Sequence, residues 1–231
     1  MKICGLNKTT LLDYPGKVAA TVFLGGCNYR CPFCHNSSLL CPNNETPALS
    51  QEEVLTFLEK RRRILDGVCI TGGEPTLSAQ LPDFLRQIHS LGLSIKLDSN
   101  GTHPEVIKAL AESGLIDAVA MDIKASPENY PASAGVSEPL LDKIEESVRF
   151  LMSGSLPYEF RTTVVKQLHT EQDFISIGKW LAKARAYYLQ AYKESPEVLK
   201  PGFSSYTRHE LERFRDILKK TIPIVEIRGI D

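Results

Sequence analysis

No stretch of this 231-residue sequence is continuously apolar over the length a membrane helix requires, which is roughly 20 residues. The longest candidate, residues 18–23, has the length of a strand. Charge of one sign is missing as well: 27 Lys and Arg stand against 28 Asp and Glu, a formal net charge of −1. That balance leaves no electrostatic footprint for nucleic acid or for an anionic membrane. The opening Met1-Lys2-Ile3-Cys4-Gly5-Leu6-Asn7-Lys8 turns polar within a few residues and carries no apolar export segment. The expectation is an unexported, cytoplasmic chain. There is no repeat, no low-complexity tract and no long linker rich in Pro, Gly or Ser. With 42% apolar and 24% charged residues, global disorder is excluded. One domain over residues 1–231 is expected.

What the chain does contain is an alternation of short β-rich runs and helical segments. The runs cover residues 18–23, 67–71, 93–98, 118–123, 158–165 and 186–190, with a late one at 222–227. Most are near-continuously apolar, as suits parallel strands covered on both faces. Between them, Ser50 with Glu53, Thr102 with Glu105 and Thr207 with Glu210 fit the S/T-x-x-E capping box. Pro104 sits at a first helical position, and Gly92, Gly114 and Gly154 stand where helices stop. Val54, Leu55 and Leu58, like Ile107, Leu110 and Ala111, give single apolar helix faces. Residues 37–49 and 126–137 read as polar loops. Alternating β and α elements imply a parallel sheet with crossover helices. Six such strands make an α/β fold, an open, partial (β/α)6 barrel.

The sharpest feature is Gly25-Gly26-Cys27-Asn28-Tyr29-Arg30-Cys31-Pro32-Phe33-Cys34-His35, directly after the first predicted strand. Six cysteines in an unexported chain suggest metal binding or redox chemistry over a disulfide framework. Four readings compete for the three clustered thiols. A structural zinc site would add His35, although adjacent Cys34 and His35 chelate one tetrahedral ion awkwardly. Cys31-Pro32-Phe33-Cys34-His35 also matches the haem-attachment pattern and a thioredoxin-like Cys-x-x-Cys, but neither accounts for Cys27. A [4Fe–4S] cluster held by three thiolates accounts for all three. Such clusters normally take four Cys ligands, so three leave one iron open to a small molecule.

The pattern C-x3-C-x-aromatic-C, here Cys27, Cys31, Phe33 and Cys34, resembles the radical S-adenosylmethionine superfamily. The resemblance implies that the open iron chelates the amino and carboxylate groups of S-adenosylmethionine. An electron from the cluster then breaks the sulfonium C–S bond, giving methionine and a 5′-deoxyadenosyl radical. Further motifs stand at strand ends. Thr71-Gly72-Gly73-Glu74-Pro75 resembles the motif that holds the amino group of S-adenosylmethionine, with Gly73 and Glu74 as the matching residues. Asp98-Ser99-Asn100-Gly101 and Asp122-Ile123-Lys124 would join the cluster on the carboxyl-end rim, where barrel-type folds place active sites.

This pairing is similar to that of the glycyl-radical-enzyme activases. There the Asp residues, Ser or Thr and nearby backbone help place the cofactor, in some members with a monovalent cation. Arg161 matches their fifth-strand arginine. The opening residues 5–17 and the closing Val225-Glu226-Ile227-Arg228-Gly229 resemble the activating proteins of anaerobic ribonucleoside-triphosphate reductases. Leu189-Gln190-Ala191-Tyr192 lacks the histidine that pyruvate formate-lyase activases carry on the sixth strand. The resemblance implies a glycyl radical enzyme as protein substrate and a flavodoxin- or ferredoxin-type electron donor. The alternatives are a pyruvate formate-lyase-type activase, a radical enzyme acting on a small molecule such as a deazapurine precursor, and a zinc-binding interaction module.

The remaining candidates have plainer readings. Cys4, Cys41 and Cys69 are not spaced for a second cluster; Cys69 reads as core and Cys41 as a loop thiol. Arg61-Arg62-Arg63 ends a helix, where cations complement the dipole. Trp180 and Leu181, on a helix expected over residues 171–184, read as core. His35 is expected beside the cofactor through its backbone, without ligating iron.

Overall fold

The computed structural model describes residues 1–43, 45–154 and 156–230. One eight-stranded sheet runs in chain order. The first strand, β1 (Ile3–Thr10), is antiparallel to β2 (Ala19–Leu24). From β2 onward every pairing is parallel, through β3 (Gly67–Gly72), β4 (Ser94–Ser99), β5 (Ala118–Asp122), β6 (Tyr158–Val164), β7 (Ala186–Ala191) and β8 (Ile224–Arg228). The sheet stays open, with β1 and β8 as its edges. The helices are α1 (Gln51–Arg61), α2 (Leu81–Ser90), α3 (Pro104–Glu112), α4 (Tyr130–Ala134), α5 (Leu141–Ser153), α6 (Glu171–Trp180) and α7 (Arg208–Leu218).

The sequence alternation thus produces the expected open α/β barrel, with two additions at its edges. β1 is a strand that hydropathy does not announce: it is bulged against β2 and half exposed, with only Ile3 and Thr10 buried. The late apolar run becomes β8, which extends the parallel set. The capping boxes at Ser50 and Thr207 form as expected, each side chain accepting the backbone N–H three residues on. The one expected at Thr102 does not. α3 starts from His103, and the Thr102 hydroxyl instead donates to Asn100 Oδ1 at 2.7 Å. Residues 126–137 contain a 3-10 turn and the short α4, and the helix expected to reach residue 184 stops at Trp180. Part of the 37–49 loop, Asn44, lies outside the described residues.

Within each strand, side chains alternate between two unlike faces. Ile95 and Leu97 on β4, and Phe160 and Val164 on β6, are fully buried in one cluster with Ile88 of α2, Ile107 of α3 and Phe174 of α6. Each large apolar side chain sealed in this layer stabilises the fold by about 1.5–3 kcal/mol relative to its exposed state. The opposite face is polar where it matters. Lys96 and Asp98 alternate with Ile95 and Leu97, and Arg161 sits between Phe160 and Thr162. The sheet is therefore covered on both faces, as the apolar runs imply, but its inner face is lined with charge.

Candidate active site at the carboxyl ends of the strands

Since β2 to β8 are parallel, their carboxyl ends share one rim, and the segments leaving them define a cavity of about 290 Å³. Cys27, Cys31 and Cys34 all line it, as do Phe33, His35, Gly73, Asp98, Ser99, Asp122, Lys124 and Arg161. Every site residue singled out from the sequence therefore faces one space, except Glu74.

The thiol-bearing loop is fixed mainly by backbone hydrogen bonds. Gly26 N–H donates to Leu39 O at 2.7 Å, Cys27 N–H to Leu40 O at 3.2 Å and Arg30 N–H to Ala134 O at 3.0 Å. From the opposite side, Leu199 and Lys200 N–H donate to Cys34 O and Pro32 O. The turn after β3 is stitched in as well: Gly73 N–H donates to Leu24 O at 2.8 Å and Glu74 N–H to Gly26 O at 2.7 Å. The approach is so close that a Cβ on Gly73 would stand 2.1 Å from Gly26 O. The two glycine-rich motifs thus lock together through the main chain.

Glu74, the second residue of the matching Gly73-Glu74 pair, lies behind the cavity wall. It is only 2% exposed and its carboxylate is consumed by neighbours. Oε1 accepts from Thr76 N–H, the Thr76 hydroxyl and the Ser99 hydroxyl, and Oε2 accepts Asn100 N–H at 2.6 Å. Glu74 ties the β3 and β4 ends together, and what its motif presents to the cavity is Thr71, Gly72 and Gly73. A second tie joins the thiol loop to the turn after β4. Asn100 Nδ2 donates to Asn28 Oδ1, Asn28 Nδ2 to Thr102 Oγ1, and Thr102 Oγ1 to Asn100 Oδ1. No sequence signal marks this triangle, because its members lie 72 and 74 residues apart.

The charged residues form a continuous network. Arg161 Nη2 donates to Asp98 Oδ2 at 2.9 Å and Arg161 Nε to Asp122 Oδ1. Lys124 Nζ takes Asp122 Oδ2 at 2.9 Å. Lys96, which no motif singles out, places Nζ 2.5 Å from Asp98 Oδ1. Burial pushes both carboxyls up, yet Arg161 and its lysine neighbours outweigh it and hold Asp98 and Asp122 below the usual carboxylate range. Burial disfavours the Lys124 cation, but the Asp122 carboxylate beside it outweighs that and keeps it protonated. Burial pushes the Cys31 thiol up to about 12, and raises that of Cys27. Left to themselves these thiols stay protonated; a bound metal turns them into thiolates.

Around this rim, His35 Nε2 lies 2.6 Å from Lys193 O. His169, which the sequence did not single out, is sealed behind Lys124. Its Nδ1 accepts Val165 N–H, its Nε2–H donates to Lys124 O at 2.7 Å, and its ring meets Phe33 edge-on at 6.3 Å. Cys69 is buried in β3 and Cys41 is exposed with Arg30 Nη2 at 2.9 Å, so neither reaches the three clustered thiols' cavity. Leu181 is core, and Trp180 packs at the core's margin against Tyr130. Among the described residues, no three His, Cys, Asp or Glu side chains are grouped to hold one metal ion. Three thiols spread around a common cavity suit a cluster, in which each thiolate meets its own iron, better than a single tetrahedral zinc. No helix among them is long and apolar enough to cross a membrane.

A model of the Radical SAM superfamily matches residues 21–181. The chain belongs to the Radical SAM superfamily. It is 31% identical over 236 residues to a Methanocaldococcus jannaschii protein named "Putative glycyl-radical enzyme activating enzyme MJ1227", covering 99% of this chain and 96% of that relative. The pyruvate formate-lyase-activating enzyme of Listeria monocytogenes is 31% identical over 129 residues, 52% of each chain. Among solved structures, Streptococcus suis SuiB bound to S-adenosylmethionine superposes with a TM-score of 0.69 at 16% identity. That match covers 90% of this chain and 52% of SuiB, so the chain spans about half of SuiB's length. At that identity the likeness concerns the fold, which is that of a radical SAM enzyme. The family implies a [4Fe–4S] cluster and S-adenosylmethionine, and the donor set of three thiols beside paired charges fits both.

Proposed function

We propose that residues 1–231 act as a single radical SAM domain, a cytoplasmic enzyme that activates a glycyl radical enzyme. The observation that carries this reading is the convergence of the three thiols and the Asp98–Arg161–Asp122–Lys124 network on one cavity. The near end-to-end similarity to an activase-type relative supports the choice of substrate. Cys27, Cys31 and Cys34 would hold the [4Fe–4S] cluster, and the cavity beside them would take S-adenosylmethionine. When bound, these groups would supply reductive cleavage of S-adenosylmethionine and, through it, removal of a hydrogen atom from a glycine Cα of the partner.

The chain's own part is placement. Gly72 and Gly73 offer close backbone approach for the amino group, and Lys124 and Arg161 offer charge-assisted donors for a carboxylate or ribose hydroxyls. Phe33 and His35 wall the cavity next to Cys34. Asp98 and Asp122 orient those donors, and Ser99, which lines the cavity, is tied to Glu74. No side chain need act as an acid or a base, because the cofactors carry the chemistry. The partner in this reading is an anaerobic ribonucleoside-triphosphate reductase, and the electron donor a flavodoxin or ferredoxin type. Gln190 lines the cavity on β7, where a pyruvate formate-lyase activase would carry histidine, which favours the reductase.

The test is anaerobic reconstitution, reduction, addition of S-adenosylmethionine and assay for 5′-deoxyadenosine, followed by electron paramagnetic resonance on the candidate reductase. Expected are product lost in C27A, C31A and C34A and kept in C4A and C41A, with a glycyl radical on the reductase. Product formed equally by the three cluster variants overturns the ligand assignment. Turnover of a deazapurine precursor without a protein partner overturns the substrate assignment.

A further inference from the structure

The inner face of the sheet carries one cation more than the sequence motifs call for. Lys96 stands on β4 two residues before Asp98, on the same side of the strand, and is 3% exposed. Its ammonium meets Asp98 Oδ1 at 2.5 Å, and Cys69 Sγ lies at the outer limit of contact, 4.0 Å. Sealing an ammonium from water is costly unless a carboxylate compensates it, so the pair has to be understood together.

Each oxygen of Asp98 and Asp122 has a cationic partner. Asp98 gives Oδ1 to Lys96 and Oδ2 to Arg161; Asp122 gives Oδ1 to Arg161 and Oδ2 to Lys124. Asp13, which also lines the cavity, receives the Thr21 hydroxyl. Three cations, Lys96, Arg161 and Lys124, thus share two carboxylates, Asp98 and Asp122, and the surplus positive charge disfavours a further cation beside them. Glu159, further along β6, forms its own two-pronged pair with Arg228. Some activases place a monovalent cation beside such aspartates. The Asp98 and Asp122 oxygens it would need here already have ionic partners, and these two residues do not fit it.

We infer that Lys96 takes the place of that cation. Its ammonium is a tethered counter-ion that holds Asp98 in position against Arg161, so that the site binds S-adenosylmethionine without sodium or potassium. An ammonium group and a potassium ion have the same charge and similar size. A tethered charge also avoids the entropic cost of recruiting a free ion. Lys96 acts through Asp98 and is a positioning residue. The inference rests on reading the cavity as the S-adenosylmethionine site.

The test compares potassium chloride, sodium chloride and tetramethylammonium chloride at one ionic strength, tetramethylammonium being too large to sit between two carboxylates. Two quantities are measured for the wild type and for K96M: S-adenosylmethionine affinity of the cluster-loaded protein, and the melting temperature of the cluster-free chain. The wild type is expected to show the same affinity and the same melting temperature in all three salts. In K96M, affinity in tetramethylammonium falls by about tenfold or more, as for a carboxylate left without its buried partner, and potassium or sodium restores it. The small cations also raise the K96M melting temperature relative to tetramethylammonium. A wild-type affinity that collapses in tetramethylammonium overturns the inference, and that arm decides even if K96M fails to fold. K96M that binds like the wild type in tetramethylammonium overturns it too. Should S-adenosylmethionine bind in no salt, the reading of the cavity fails, and the melting data alone judge Lys96.

Discussion

The Glu74 carboxylate accepts the backbone N–H of Asn100 at 2.6 Å, joining the turn after β3 to the turn after β4. Both residues are buried, so each depends on the other for its hydrogen bond. Replacing Glu74 with Ala orphans that N–H together with the Thr76 and Ser99 hydroxyls. A loss of about 1–3 kcal/mol per buried group left unpaired is expected, measured as a fall in the urea midpoint of the cluster-free chain. Glu74→Gln keeps an acceptor for Asn100 and is expected to lose less.

Gly73→Ala puts a methyl group 2.1 Å from Gly26 O and 3.3 Å from Cys27 Cβ. The backbone of the thiol loop has to move, so iron uptake on anaerobic reconstitution is expected to fall well below that of the wild type. Gly202→Ala is the control: Gly202, unlike Gly73, has a positive φ that disfavours alanine, yet its added Cβ meets nothing within 4 Å. It is expected to keep full iron content.

Removing the Arg161 guanidinium leaves buried Asp98 and half-buried Asp122 facing each other with one partner apiece. Arg161→Ala is expected to destabilise the chain by about 3–5 kcal/mol, the cost typical of breaking a buried ionic network. The pH dependence has a definite sign. Asp98 and Asp122 have native pKa values held below the usual range, burial notwithstanding, by Arg161 and the lysines. Their stabilisation is complete above the unfolded value of about 3.9 and is lost as pH falls through the native values. Urea midpoints from pH 5 downward are expected to fall steeply in the wild type and less steeply in Arg161→Ala.

His169 is buried in the neutral form, and burial lowers its pKa despite the carbonyl partners that favour the cation. With a native value below the unfolded one of about 6.5, it stabilises the fold above that pH and ceases to as pH falls through the native value. His169→Gln is expected to flatten the wild-type decline in melting temperature between about pH 7 and pH 5. It also loosens the Lys124 carbonyl, so weaker S-adenosylmethionine binding is expected at pH 7.5, measured by titration calorimetry.

The parallel strands were legible because a buried parallel strand needs apolar residues in a short run, and residues 67–71 or 118–123 offer little else. β1 escaped notice for the opposite reason. It is an edge strand with bulges, and Asn7, Lys8 and Thr9 lie exposed along it. The cavity residues were legible wherever a motif compresses them, as in Cys27, Cys31 and Cys34 or Asp122 and Lys124. The fate of Glu74 was not, because a motif names a residue without saying which of its neighbours consume its charge. Lys96 was the harder omission. A lysine in a strand reads as solvent-facing, and only its two-residue spacing from Asp98 hints that both point inward. Asn28, Asn100 and Thr102 meet only after the chain has folded back through two crossovers.

The two unlike faces of each strand divide what the lineage can change from what it must keep. Ile95 and Leu97 answer to the helices outside, whereas Lys96 and Asp98 answer to the cavity. Because neighbours in sequence look in opposite directions, a change at a cavity position leaves the outer packing partners in place, and its cost comes from the charges it unpairs. The same backbone therefore carries an apolar layer and a charged one, each held by its own set of partners.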